Sequence, residues 1–155
     1  MPAVSVSRNR ITPFLWFDGK AEAAARFYAG LFEDSKIITA SPMMCEFQLA
    51  GQSFLALNGG PQFPFTEAIS LYVSCEDQAE VDRLWDALIA DGGAGSRCGW
   101  LKDKYGLSWQ IIPEALPRYL QDPDRAKADR VMQAMMKMRR IEVADLDAAA
   151  AAAAT

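Results

Sequence analysis

The feature that most restricts the fold of this chain is a repeated order of elements. Residues 11–60 and residues 69–113 each read as β-α-β-β-β. In the first half, "ITPFLWF" (11–17) is a continuous apolar run of strand length, rich in good β formers. Asp18 and Gly19 punctuate it, with Asp18 the expected N-cap of a helix. From Lys20 to Phe32, Ala23, Phe27 and Leu31 recur at i, i+4, i+8 beside Ala24, Tyr28 and Phe32, which predicts an amphipathic helix. Three strands then follow, "SKIITA", "MMCEFQL" and "SFLALN", the last two joined at Ala50-Gly51, and the half closes at Gly59-Gly60.

After the proline-broken linker "PQFPF", the same order restarts with the strand "ISLYVSC". Asp77, with Glu80 three residues on, has the form of a capping box. Val81, Leu84, Trp85, Leu88 and Ile89 supply the helical stripe, which Gly92-Gly93 ends. A short strand over Ala94 to Arg97 and the hairpin "GWLKD"/"LSWQII", turning at Asp103-Lys104-Tyr105-Gly106, complete the unit. Neither half can bury its sheet alone. The expected fold is therefore α+β: two βαβββ modules joined into a curved mixed sheet, an open barrel with helices outside and a ligand cleft inside. Half-open sheets have edges that need cover, so a homodimer or a chain folded back on itself is expected.

Residues 1–113 form the expected domain, 114–147 a helical extension and 148–155 an alanine-rich tail that either prolongs a helix or frays. Within the extension, Val131, Met132, Met135 and Met138 fall at helical spacing from Asp124 to Met138. Such stripes more often fill a core or an interface than bind a cofactor. An exposed Met132, Met135, Met138 stripe would instead point to a docked partner.

Composition narrows the chemistry. The chain has no histidine, which removes Ser-His-Asp and Cys-His catalysis and every His-ligated metal site. The three cysteines, Cys45, Cys75 and Cys98, form neither a disulfide framework nor a C-x-x-C pair, and all three are expected as buried thiols. A net charge of -4 argues against nucleic acid or an anionic membrane as partner. No apolar run reaches the roughly 20 residues of a membrane span. The opening "MPAVSVSRNR" lacks a signal-peptide h-region, so a cytoplasmic protein is expected.

Ser108 and Gln110 interrupt an otherwise apolar strand, and period two puts them on one face with Ile112, against Leu107, Trp109 and Ile111 on the other. Gln110 is then either a structural amide or a polar group inside a ligand cavity. The candidate lining of that cavity is Trp16 or Phe17, Phe47, Asn58, Ser70, Tyr72, Trp100, Tyr105 and Gln110. Each of the aromatics has a competing role as core, and Asn58 as a turn residue.

Taken together, "ITPFLWFDGKAEAAARFYAGLF", "FLALNGG", "FTEAISLYVSC" and "CGWLKDKYGLSWQIIP", with "VMQAMMKM" beyond, resemble the PhnB-like branch of the vicinal oxygen chelate superfamily. That superfamily also holds glyoxalase I, extradiol dioxygenases and bleomycin-resistance proteins. Members of the branch often carry the name 3-demethylubiquinone-9 3-methyltransferase. The resemblance implies paired βαβββ modules and, often, a dimer. In metal-using relatives a glutamate ligand sits four residues past the glycine of the last hairpin; here Gly106 is that glycine and Gln110 takes the glutamate's place. The other ligand positions fall near Ile11 or Pro13, near Ala56 or Asn58, and near Ile69 or Ser70, none of them a good ligand. No metal and no cofactor are therefore expected. Close relatives also tend to carry a glycine- and proline-rich loop between the second and third strands, which "ITASPMMCEF" bypasses.

The expected function is a metal-free cleft that binds or modifies an unknown metabolite. A methyltransferase, as the family name suggests, is one alternative. Its donor site would need a glycine-rich β-α turn, whereas Gly59-Gly60 precede a linker and Gly92-Gly93 end a helix. A non-enzymatic sequestering or regulatory partner protein is the other.

Overall fold

The computed structural model describes residues 9–152. The start of the "MPAVSVSRNR" segment and the last three residues of the alanine tail lie outside the described residues. The chain divides into two compact units between Pro64 and Phe65.

The first unit holds β1 (Phe14–Phe17), α1 (Ala21–Ala29), β2 (Lys36–Ala40), β3 (Met44–Leu49) and β4 (Gln52–Asn58). Its sheet order is β1-β4-β3-β2, with β1 parallel to β4 and the other pairs antiparallel. The second unit repeats this with β5 (Ser70–Cys75), α2 (Gln78–Ile89), β6 (Ala94–Gly95), β7 (Trp100–Lys102) and β8 (Ser108–Pro113), in order β5-β8-β7-β6. β5 runs parallel to β8 as β1 does to β4, so the expected module repeat is present down to strand direction.

In each unit the helix covers one face of the sheet. Leu15, Phe17, Cys45, Phe47 and Ala56 are buried on the α1 side with Ala21, Ala24, Ala25 and Tyr28 of the helix. Cys75, Leu101, Trp109 and Ile111 are buried on the α2 side with Val81, Leu84, Trp85 and Leu88. Burial pushes the Cys75 thiol up to about 12, which makes it an inert core group at neutral pH. Ile11 lies outside β1 and is exposed.

Asp18 does not cap α1. The N-cap residue is Lys20, two positions later, and it makes no side-chain cap. The helix start is held instead from β4: Asn58 Oδ1 accepts the Ala21 N–H at 2.8 Å, while Asn58 Nδ2 donates to Pro42 O at 2.9 Å. The next residue is equally committed. A Cβ on Gly59 would stand 2.2 Å from the Trp16 ring, whose Nε1 donates to Gly60 O at 2.9 Å. "NGG" is therefore scaffold. At α2 the expected cap is present, with Asp77 Oδ1 accepting the Glu80 N–H at 2.9 Å. Cys98, expected in the core, is only half-buried, because it sits in the β6–β7 loop with φ +56.

The β7–β8 turn is built on Asp103, whose side chain is 2 % exposed. Its Oδ1 accepts the Tyr105 and Leu107 N–H groups at 2.8 and 3.1 Å, and its Oδ2 accepts Trp109 Nε1 at 2.9 Å. One carboxylate thus fixes the turn and the indole beneath α2.

The extension forms α3 (Ala115–Leu120), α4 (Arg125–Met135) and α5 (Val143–Ala151). Leu116, Val131, Ile141 and Leu146 close over Ile112, with Met135 and Met138 packed against them. Met132 and Met136 remain exposed, so the methionine stripe is split between core and surface. The alanine tail prolongs a helix as far as Ala151, and Arg130 donates to Ala149 O and Ala150 O at 3.1 and 3.0 Å, a cationic cap on its last carbonyls. The Gln78 amide pins the link to α5, donating to Ile141 O at 3.0 Å and accepting the Val143 N–H at 2.7 Å. Among the described residues no helix is long and apolar enough to cross a membrane.

Candidate functional site

The faces turned away from the two helices differ in chemistry. In the second unit, register places Ser70 opposite Ser108, Tyr72 opposite Gln110, Trp100 opposite Gln110 and Lys102 opposite Ser108. Gln110 is half-buried, and its Nε2 donates to Ser70 Oγ at 3.1 Å. Its Oε1 accepts no hydrogen bond among the described residues, so the acceptor end of the amide is uncommitted there. Ser108 is 1 % exposed and its Oγ has no hydrogen-bond partner. A buried hydroxyl without a partner costs about 1 to 3 kcal/mol.

Around this centre, Tyr72 is exposed and Trp100 half-buried. Tyr105 lies in the turn rather than on the sheet, with Lys104 Nζ 5.6 Å from its ring centroid. Desolvation raises the phenols of both Tyr72 and Tyr105, so each is a hydrogen-bond donor at neutral pH. Lys102 pairs with Glu67, whose carboxyl is held below the usual carboxylate range by that hydrogen bond. The face therefore offers neutral hydroxyl donors, an amide acceptor and aromatic walls. Its Lys102 ammonium is taken up by Glu67. Such a set recognises a ligand by hydrogen bonding and stacking.

The first unit's open face is apolar, with Phe14 and Trp16 of β1 beside Leu55 and Leu57 of β4 and Met44 of β3. Phe63 meets the Trp16 ring edge-on at 4.9 Å. Glu46 lies among them, 8 % exposed, and the sequence reading missed it. The signal was present in the alternation of "MCEFQL", which puts Met44, Glu46 and Gln48 on one side and Cys45, Phe47 and Leu49 on the other.

Of the expected lining residues, Ser70, Tyr72, Trp100 and Gln110 thus share one face of one sheet. Trp16 is on the open face of the first sheet, whereas Phe17 is on the face that α1 covers. Phe17 and Phe47 are 3 % and 0 % exposed beneath α1, where strand parity puts them, and they leave the lining. Asn58 leaves it too, because both ends of its amide are used in holding α1 and the Pro42 turn.

Register also sets the rows of residues across each sheet. Trp16, Leu57 and Met44 form one row across the first sheet, and Tyr72, Gln110 and Trp100 form one across the second. Ala56, buried on the α1 side, and Asn58, which holds the start of α1, offer no ligand in the first module. The metal that many superfamily members use finds no ligand set here. Gln110 is an amide where metal-using relatives carry a glutamate, the chain has no histidine, and no group of three His, Cys, Asp or Glu among the described residues could hold an ion.

Residues 9–112 match the family model described as 3-demethylubiquinone-9 3-methyltransferase. This chain is a PhnB-like member of the vicinal oxygen chelate superfamily. It is similar to the PhnB protein from Bacillus cereus, at 37 % identity over 68 % of this chain and 99 % of that one, with a TM-score of 0.62. Two further structures share the PhnB-like fold alone. Protein PA1353 from Pseudomonas aeruginosa is 21 % identical over 68 % of this chain and 98 % of its own, with a TM-score of 0.55. A glyoxalase-related enzyme from Fulvimarina pelagi is 21 % identical over 70 % and 91 %, with a TM-score of 0.50. No curated protein matches the chain.

Proposed function

We propose that this PhnB-like protein binds a small polar metabolite, without a metal, on the open face of its second sheet. One observation carries the reading: the Gln110 amide, anchored through Nε2 to Ser70, has its Oε1 uncommitted on the same face as the unpartnered Ser108 hydroxyl. A donor–acceptor set left open at the position of the relatives' metal-ligating glutamate supports direct recognition of the ligand by protein groups. A ligand with one donor and one acceptor, flanked by a planar or apolar body for Tyr72 and Trp100, suits this face. The methyltransferase reading has no such support, since Gly59 packs on Trp16 and Gly93 on the end of α2.

A metabolite library screened by thermal shift tests this. At a hundredfold excess over Kd, a ligand specific for the native state adds about 2.7 kcal/mol of stability. The shift should be unchanged by EDTA and by added divalent cations. A hit whose effect disappears with EDTA would contradict the metal-free reading.

A further inference from the structure

Beyond α4 the chain returns alongside the β6–β7 loop. Cys98 N–H donates to Met138 O at 2.8 Å and Gly99 N–H to Arg139 O at 2.7 Å. Gly99 has φ +85, and a Cβ there would meet Ile112 Cδ1 at 2.7 Å and Ile141 Cγ1 at 3.1 Å. The two loops are thus fixed to each other by hydrogen bonds and by the core beneath them. Between them lies a cavity of about 520 Å³ whose charged lining is Arg97, Lys137 and Arg139, with Met136 and Met138 as an apolar wall.

Among the described residues, none of these three cations has an ion pair or a side-chain hydrogen bond. The neighbouring Arg140 shows the contrast, with Asp82, Asp86 and Glu142 within 3.4, 3.6 and 3.3 Å. Acids are not scarce in a chain of net charge -4, yet three cations line one cavity with no acid at ion-pair distance from them among the described residues. On the side toward α2 and α5, Lys137 and Arg139 also line an adjoining groove with Arg140, Asp86, Glu142 and Asp145, where Arg140 takes up Asp86 and Glu142.

We propose that this cavity binds a multiply charged phosphoryl group of a small molecule, a phosphate monoester or a polyphosphate, held by Arg97, Lys137 and Arg139. Two guanidinium forks and an ammonium suit the several acceptor oxygens of a phosphoryl dianion, whereas one carboxylate would leave most of the charge unbalanced. The acidic balance of the whole chain disfavours a long nucleic acid as the occupant.

Isothermal titration of the full chain at low ionic strength, with sodium tripolyphosphate and separately with glycerol phosphate, tests the proposal. Saturable single-site binding of at least one probe is expected. It should weaken roughly tenfold for each of Arg97→Gln and Arg139→Gln, the scale of a charge-assisted hydrogen bond. Lys127→Gln, remote and paired with Asp122, should leave it unchanged. The tighter of the two probes tells polyphosphate from monoester. Circular dichroism should show both arginine variants folded, as their exposed side chains imply. Heat from neither probe, binding that survives the double variant, or tighter binding of duplex DNA than of either probe would overturn the proposal.

Discussion

Asp103→Ala should destabilise the protein by about 4 kcal/mol, the sum of a few orphaned donors at about 1 to 3 kcal/mol each after partial relaxation. The carboxylate satisfies the Tyr105 and Leu107 N–H groups and the Trp109 indole, all in the β7–β8 hairpin, from a site that water does not reach. Removing it leaves these donors facing a small apolar side chain. With a total stability of the order of 5 to 15 kcal/mol for a domain of this kind, such a loss is a large fraction. The melting temperature should fall by roughly 10 °C. Asp103→Asn should cost less, since its amide oxygen still accepts from the turn, but it presents an N–H to the indole N–H. Urea unfolding checks both, and a cost below about 1 kcal/mol for the alanine variant would mean that the turn rehydrates freely.

The second large effect is expected at Ile141. This side chain is fully buried where Ile112, Leu116, Val131 and Leu146 meet, and it packs beside Gly99. Its truncation to alanine should cost about 2 to 5 kcal/mol, the range for a buried aliphatic that leaves a cavity. Because Gln78 holds the Ile141 carbonyl and the Val143 N–H from α2, the backbone resists collapsing into the space, which favours the upper part of that range. Amide exchange should then rise first in α4 and α5. Exchange that rises equally in β5 and β8 would show the extension unfolding together with the sheet rather than ahead of it.

What the chain discloses by pattern is what depends on neighbours in sequence. The βαβββ order, the Asp77 cap and the parity of Gln110 all follow from spacings of a few residues. Asp18 shows the limit of that logic. It has the right chemistry in the right place, yet the cap of α1 comes from Asn58, which only the parallel pairing of β1 with β4 brings near. Phe17 and Phe47 read as well for a pocket as for a core, and the side that α1 occupies decides between them. Asp103 is recognisable as a turn residue, but its burial follows from the bond to Trp109 under α2. The Arg130 bonds to Ala149 O and Ala150 O at the end of α5 are likewise a contact that no low-complexity segment announces.

Affinity of the Gln110→Leu variant for the tightest ligand from the metabolite screen, measured by isothermal titration beside a urea unfolding curve, tests the metal-free recognition face most directly. Leucine removes both the amide acceptor and the bond to Ser70 while conserving most of the volume. The predicted result is a loss of affinity of roughly tenfold or more, with stability within about 1 kcal/mol of the parent. Unchanged affinity together with a stability loss of several kcal/mol would contradict it, and would make Gln110 a structural amide.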